Sequence, residues 1–432
     1  LGYAHESGQG TDQSPLGSMA ATVSWDGGGD GTSWHDRFNW AGDVLPGSTD
    51  DVVIGLGDSN PTIAFTSSAG TRTAKSIVSD EAFTISGGSL TLSGGASEFR
   101  SNFSLTGGSL TATGAGTTLL ATGTTTIQNT TIKAQEGAIA TFEAASSLTN
   151  VNLTASGGSE ILFPAATSYA GWNQADKTIQ ATGAGSRIDL SSLTTLVGGG
   201  TDPDYPYDWR YVRLKVLDGG ELDISGAVSG YTVWTVDATG GVMNVAGVTS
   251  IGGYASISTA SNMLDFTACT SLSTVNLSAS TGGQILFPVA TSYAGSANYD
   301  TTIQATGTGS RIDLGHLTTL VGGGTDPDYP YPWRYVYLKA LDGGELDISG
   351  AVSGHTIWTV DGPTSVLDVA GVTKLTGGAT VGIGDGHTLE WTAATVLNYV
   401  SLTASEDTVV SFPVASSLTN VNLTASGGSE IL

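Results

Sequence analysis

The sequence predicts an all-β fold, a single-stranded parallel β-solenoid (a β-helix, expected right-handed) with about 20–21 residues per coil and a Trp-rich N-terminal cap. Three observations carry this expectation. Apolar and polar residues alternate in short β-rich runs bounded by Gly, Asn and Asp, which is the signature of strands. A long repeat aligns Leu148–Gly230 with Leu272–Gly354 at a constant offset of 124 residues. A shorter period appears when turn residues are lined up, because Gly220 and Gly241 stand 21 residues apart, as do Asp407 and Gly428.

Composition fits a solenoid better than a disordered chain. Sixty-two glycines and only 12% charged residues would read as linker if the apolar residues were scattered, but they keep period two. The long repeat carries SYAG, TIQATG, GSRIDL, LTTLVGGGTDPDYPY, WRYV and DGGELDISGAVSG in the same order in both copies, and Ala415–Leu432 repeats Ala145–Leu162 without a change. The expected organisation is therefore a tail over 1–21, a Trp-rich cap or lead-in over 22–60, and a β-helix over 61–432. Within the helix the superrepeat covers about 148–271 and 272–395, with a truncated third copy over 396–432. About sixteen coils stacked at about 4.8 Å would give a rod on the order of 80 Å long.

The two ends read differently. Trp25, Trp34 and Trp40 are concentrated ahead of the regular coils, as expected of a hydrophobic plug over the first coil, with a sugar-stacking site as the alternative. The sequence opens at Leu1 without an initiator Met or a signal-peptide pattern, and Leu432 falls in mid-strand, so a piece of a longer product is expected, or an end that pairs with another subunit.

Charge narrows the partners. Fourteen basic against 39 acidic side chains give a net charge of -25, which opposes binding to nucleic acid or anionic lipid. No apolar run approaches the roughly 18 residues of a membrane-spanning helix, so no membrane insertion is expected. Cys269 has no intramolecular partner and reads as a small buried hydrophobe. The five histidines form no metal-ligand spacing, and the GGG runs at 27–29 and 198–200 lack the Lys-Ser/Thr of a phosphate loop and read as turns. Thr-rich stretches such as GTTTIQNTTIKAQ do not keep the register that an ice-binding face would need.

Two constellations stand out. Aligned strands read apolar-acid-apolar and set Asp189, Asp223, Asp265, Asp313, Asp347 and Asp368 in a column interrupted by Leu162, Asn244, Leu286 and Ser411. Such a column is either tolerated on a solvated face or relieved by calcium or cationic material, which makes these six aspartates the candidate metal ligands. The second constellation is an inserted loop, TDPDYPYDWRYV at 201–212 and TDPDYPYPWRYV at 325–336. Tyr205, Tyr207, Trp209 and Arg210 recur as Tyr329, Tyr331, Trp333 and Arg334, rings beside charged groups as a carbohydrate platform needs, or else an excursion packed back on the rod.

The lead-in SWDGGGDGTSWHDRFNW followed by LPGSTDDVVI, together with coils such as SLTNVNLTASGGSEILFP and GSRIDLSSLTTL, resembles large secreted repeat-built β-helix surface proteins and adhesins of bacteria. The resemblance spans nearly the whole chain from Thr22 onward and implies a secreted or cell-surface setting, but no catalytic residue. The expected function is a non-catalytic structural or adhesive module, a rigid spacer or fibre subunit binding extracellular glycan, calcium or neighbouring copies of itself. The alternative is a glycoside hydrolase or polysaccharide lyase. Glu221 with Asp223, and Glu345 with Asp347, lie two apart on one strand face as paired-carboxylate hydrolysis would need, although their duplication reads more simply as repeat decoration.

Overall fold

A computed structural model describes residues 22–57, 60–204, 208–237, 240–325 and 333–432. The tail expected over 1–21, and the loop residues Tyr205, Tyr207, Tyr329 and Tyr331, lie outside the described residues. The chain winds through about 17 turns of about 21 residues, one more than the sequence period implies, with almost no helix.

Three parallel ladders run along the solenoid. In the first block they pass through Arg187–Leu190, Thr195–Val197 and Val212–Leu217, which pair with the equivalent segments one coil away. Each strand exists because its alternate residues face the interior. Val212–Leu217 and Thr301–Thr306, equivalent segments in their ladder, alternate strictly between buried and half-buried residues. Inside, Leu190, Leu196 and Leu214 come from the three ladders of one block and are fully buried, as are Leu314, Leu320 and Leu338 at the 124-residue offset. Full burial of such a side chain contributes about 1.5–3 kcal/mol. The blocks match in polar detail as well. Tyr169 and Tyr293 donate their buried hydroxyls to the carbonyls of Val151 and Val275 at 2.7 and 2.8 Å. Trp234 and Trp358 each donate an indole N–H, to Thr232 and Thr356 respectively, at 2.8 Å. Buried amphipathic rings are retained where their polar tips find such partners.

At the N-terminus the aromatic cluster is a plug. Trp34 and Trp40 are fully buried and Trp25 nearly so, with the Trp40 ring edge-on to both others at 4.7 and 4.8 Å. Trp34 reaches Phe65 and Phe83 in the coils behind it at 5.7 and 5.8 Å. With their faces enclosed, these three rings leave no surface for a sugar. The plug is an irregular first coil: Thr22–Ser24 pairs in parallel with residues 51–53, and Ser33 bridges Ala64. The regular ladder thus starts at Asp51, inside the segment that the sequence assigns to the lead-in. Asn39, fully buried, organises the GGGDG loop by accepting from Gly29 N and Gly31 N at 3.0 and 2.8 Å and donating to Asp30 and the Ser33 carbonyl at 2.8 and 3.0 Å.

Several corners between ladders take left-handed backbone, which Asn tolerates better than most residues. Where the second ladder turns into the third, Asn129, Asn150 and Asn420 take φ of 53°, 57° and 53°. Asn150 also donates to Asn129 at 2.6 Å, so the corner stacks from coil to coil.

Candidate functional site

The same corner becomes aromatic in the middle of the solenoid. Tyr211, Tyr231 and Tyr254 lead into equivalent strands of three successive coils, fixed by the pairings Val212↔Thr232 and Val233↔Ser256. In the second block the positions are Tyr335, His355, Gly378, Tyr399 and Asn420, fixed by Val336↔Thr356, Thr356↔Ala379, Ala379↔Val400 and Val400↔Val421. Two of these tyrosines hold a backbone that tyrosine disfavours: Tyr254 has φ 71° and Tyr399 φ 56°. For a bulky L-residue the left-handed region costs roughly 1–2 kcal/mol; Asn129, Asn150, Gly378 and Asn420 hold it at other levels of this corner without that cost, and Thr274 holds it at φ 57°. Residues held in disfavoured conformations concentrate at functional sites.

The inserted loops bring tryptophan onto this corner. Residues 198–200 run extended against it: Gly199 N donates to Tyr231 O at 3.0 Å and Tyr231 N returns the bond at 3.1 Å, an antiparallel bridge repeated between Gly323 and His355. A second antiparallel bridge joins Thr201 to Trp209, and Thr325 to Trp333 repeats it. The GGG run at 198–200 is therefore not a turn, as its composition predicted. Its glycines have no positive φ, and Gly198 and Gly199 are required by close approach, since a Cβ at Gly198 would strike the Tyr231 carbonyl and one at Gly199 the Arg210 carbonyl. Gly322 and Gly323 meet the His355 and Arg334 carbonyls in the same way.

The result is two aromatic clefts. The first, about 380 Å³, is lined by Trp209, Tyr231, Tyr254, Tyr299, Asn276 and Asp300 among others. Trp209, Tyr231 and Tyr254 form a parallel stack, with centroids 6.3 and 4.9 Å apart and interplanar angles of 12° and 10°. Tyr299 stands edge-on to Trp209 and Tyr254 at 5.3 and 4.8 Å. The second cleft, about 510 Å³, holds Trp333, Tyr335, His355, Tyr399, Asn420 and Asn422. Trp333 stacks on His355 at 4.9 Å and 8°. The second cleft is wider for a local reason: Gly378 stands where the first has Tyr254, and a side chain there would collide with the His355 ring. Both volumes fall in the usual range for small-ligand sites.

Of the loop residues expected at a carbohydrate platform, Trp209 and Trp333 line the clefts, 38% and 56% exposed. Arg210 turns inward and pairs with Asp202 at 3.0 Å and Asp208 at 2.8 Å, so it holds the loop rather than the cleft. Arg334, its counterpart, is half-buried in the second loop. The tyrosines and His355 of the corner are not among the residues that the sequence singles out. Their signal is one position wide, the residue before each third-ladder strand, and it emerges only once coils are aligned by strand starts instead of turn glycines.

The acidic column forms as its alternation predicts: Asp189 pairs with Asp223, Asp313 with Asp347 and Asp347 with Asp368, while Leu286 separates Asp265 from Asp313. What the alternation does not reveal is its counter-charge. Arg187, two residues before Asp189, contacts Asp189 at 2.9 Å, Glu221 at 3.4 Å and also Asp223. Arg311 likewise contacts Asp313 at 3.1 Å, Glu345 at 3.0 Å and Asp347. All four carboxylates considered for hydrolysis are thus engaged by a guanidinium. Asp223 is buried, contrary to a uniformly solvated face. Burial lifts the Asp347 carboxyl above its ordinary range even against the pull of Arg311. Burial acts on Asp189 too, but hydrogen bonds from Ser191 and Arg187 outweigh it and hold that carboxyl low. Among the described residues no group of three or more His, Cys, Asp and Glu side chains is placed to hold a metal ion, and no helix is long and apolar enough to cross a membrane.

Fold and site together define a repeat-built β-solenoid with an aromatic corner. Comparison with known proteins finds no matching family model, no matching curated protein and no matching solved structure.

Proposed function

We propose that this protein is a non-catalytic extracellular adhesive module, a rigid solenoid that presents its aromatic corner to an uncharged glycan. The observation that carries the reading is the corner itself: Trp209, Trp333 and Tyr399 expose aromatic surface along it, Tyr254 and Tyr399 stand at a positive φ that Asn and Gly fit better, and amide and hydroxyl groups of Ser256, Asn276, Asn420 and Asn422 flank them. Ring faces bind the CH faces of sugars while amides and hydroxyls take their hydroxyls. A net charge of -25 disfavours sulfated or uronate-rich polymers. Engagement of Glu221, Asp223, Glu345 and Asp347 by Arg187 and Arg311 supports a scaffold role for them over catalysis. The resemblance to secreted surface proteins supports the extracellular setting, and the guanidinium counter-charge of the acidic column argues against calcium as its ligand.

A glycan array probed with the parent protein and with the Trp209→Ala/Trp333→Ala double variant tests the reading. Binding to neutral glycans by the parent, lost in the variant, is expected; no binding, or equal binding by both, refutes it. Reducing-end release from the bound glycan would overturn the non-catalytic part.

A further inference from the structure

We infer that the two clefts are one continuous track, and that a single extended neutral glycan chain occupies both at once; this rests on the glycan reading above. Val212 and Val336 hold the same register position in the two blocks and are joined by five ladder steps, through the strands starting at Thr232, Ala255, Val275 and Thr301. At about 4.8 Å per step, Trp209 and Trp333, each three residues upstream, lie about 24 Å apart along the rod.

Among the described residues the linings of the two clefts meet on adjacent strands. The first ends on Tyr299, Asp300 and Thr301, and Thr301 pairs with Val336, the neighbour of Tyr335, where the second begins. The corner thus carries cleft-lining residues from Tyr211 to Asn420, across ten strands and about 43 Å by the same spacing. Both clefts open on the same corner of a rigid parallel stack, so a linear chain lying along the axis meets them in sequence. The track is also polar. Three stacked rings at one end give way to Trp333, His355 and the wider cleft at the other, so the two ends of a directional chain are not equivalent there. Occupying two sites by one ligand raises affinity by roughly 10²–10⁴ over either alone when the span is matched.

The test is calorimetric titration of the intact protein with neutral cello-, xylo- and manno-oligosaccharides graded from dimer to decamer. Affinity is expected to climb by about a hundredfold once the chain reaches from Trp209 to Trp333, with one chain per protein. Either Trp209→Ala or Trp333→Ala should return the decamer to the affinity of the short oligomers, while Trp209→Phe and Trp333→Phe, which keep a ring, should retain most of the gain. Two short chains per protein, with no gain in length and one site lost per Ala variant, would overturn the single track and leave the glycan reading standing. Absence of binding by every oligosaccharide would overturn both.

Discussion

Replacing Tyr399 by Asn should stabilise the protein and weaken its ligand binding. Tyr399 holds φ 56° and is 60% exposed, so its ring returns little burial against the strain of its backbone. The left-handed region costs a bulky residue about 1–2 kcal/mol, and Asn adopts it with far less strain, as Asn420 does one coil away at φ 53°. Subtracting the small apolar area that the tyrosine ring still shields from water, the net gain is about 1 kcal/mol. Matched guanidinium titrations of parent, Tyr399→Asn and Tyr399→Phe read this as a raised midpoint for Asn alone, and comparison of midpoints avoids assuming that a long repeat array unfolds in two states. The same three proteins, titrated with the longest bound oligosaccharide, should show about tenfold weaker binding for Asn and near-parental binding for Phe. A destabilised Asn variant, or a stabilised one that binds as well as the parent, would refute the claim that strain at this corner is retained for the ring.

Other expectations follow from the scaffold. Arg311→Gln strands Asp313, Glu345 and Asp347 without their shared guanidinium and should cost about 1–3 kcal/mol at pH 7, a buried-pair penalty reduced because the arginine is 36% exposed. Asp347 already has a raised carboxyl, so its contribution is complete below the unfolded value near 3.9 and lost as pH rises through the folded one. The variant's deficit should therefore shrink on acidification toward pH 4, visible in melting curves, and a deficit that grew would contradict the sign. Asp30 behaves oppositely: hydrogen bonds from Ser33 and Thr32, with that from Asn39, hold its carboxyl far below the usual range, so the plug's stability is present above about pH 3.9 and fades below it. Amide exchange at Gly29 and Gly31 should accelerate from pH 5 to pH 3 beyond the intrinsic pH effect. Asn39→Leu removes four hydrogen bonds and strands the amides of Gly29 and Gly31, at a cost of about 2–4 kcal/mol in thermal or denaturant unfolding. Because Arg187 and Arg311 already counter the column, millimolar calcium should leave the melting temperature unchanged; a rise of several degrees would show that the column binds it.

The coil, its period and the acidic column were legible because each depends on residues a fixed step apart, and a one-residue slip would have turned Ile188 or Leu222 to solvent. The arginine clamps were not, because Arg187 meets Asp223 across neighbouring coils, 36 residues away in sequence and beyond an insertion that breaks the period. Tryptophan in the loops drew attention by composition, yet its partners Tyr231 and His355 sit in the following coil and reach it through the extended glycine run. That run is indistinguishable from a turn by composition, since glycine serves both positive φ and close approach. Arg210 was misleading for the converse reason: beside aromatic residues in sequence, it directs its charge to Asp202 and Asp208 within its own loop.

The most direct test of the aromatic corner is the crystal structure of the protein soaked with a neutral decasaccharide. One chain is predicted along the corner, with sugar rings against Trp209 and Trp333 and hydroxyls on Asn276 and Asn422. Sugar bound instead along the Arg187 and Arg311 face, or a corner left empty at saturating glycan, would contradict it.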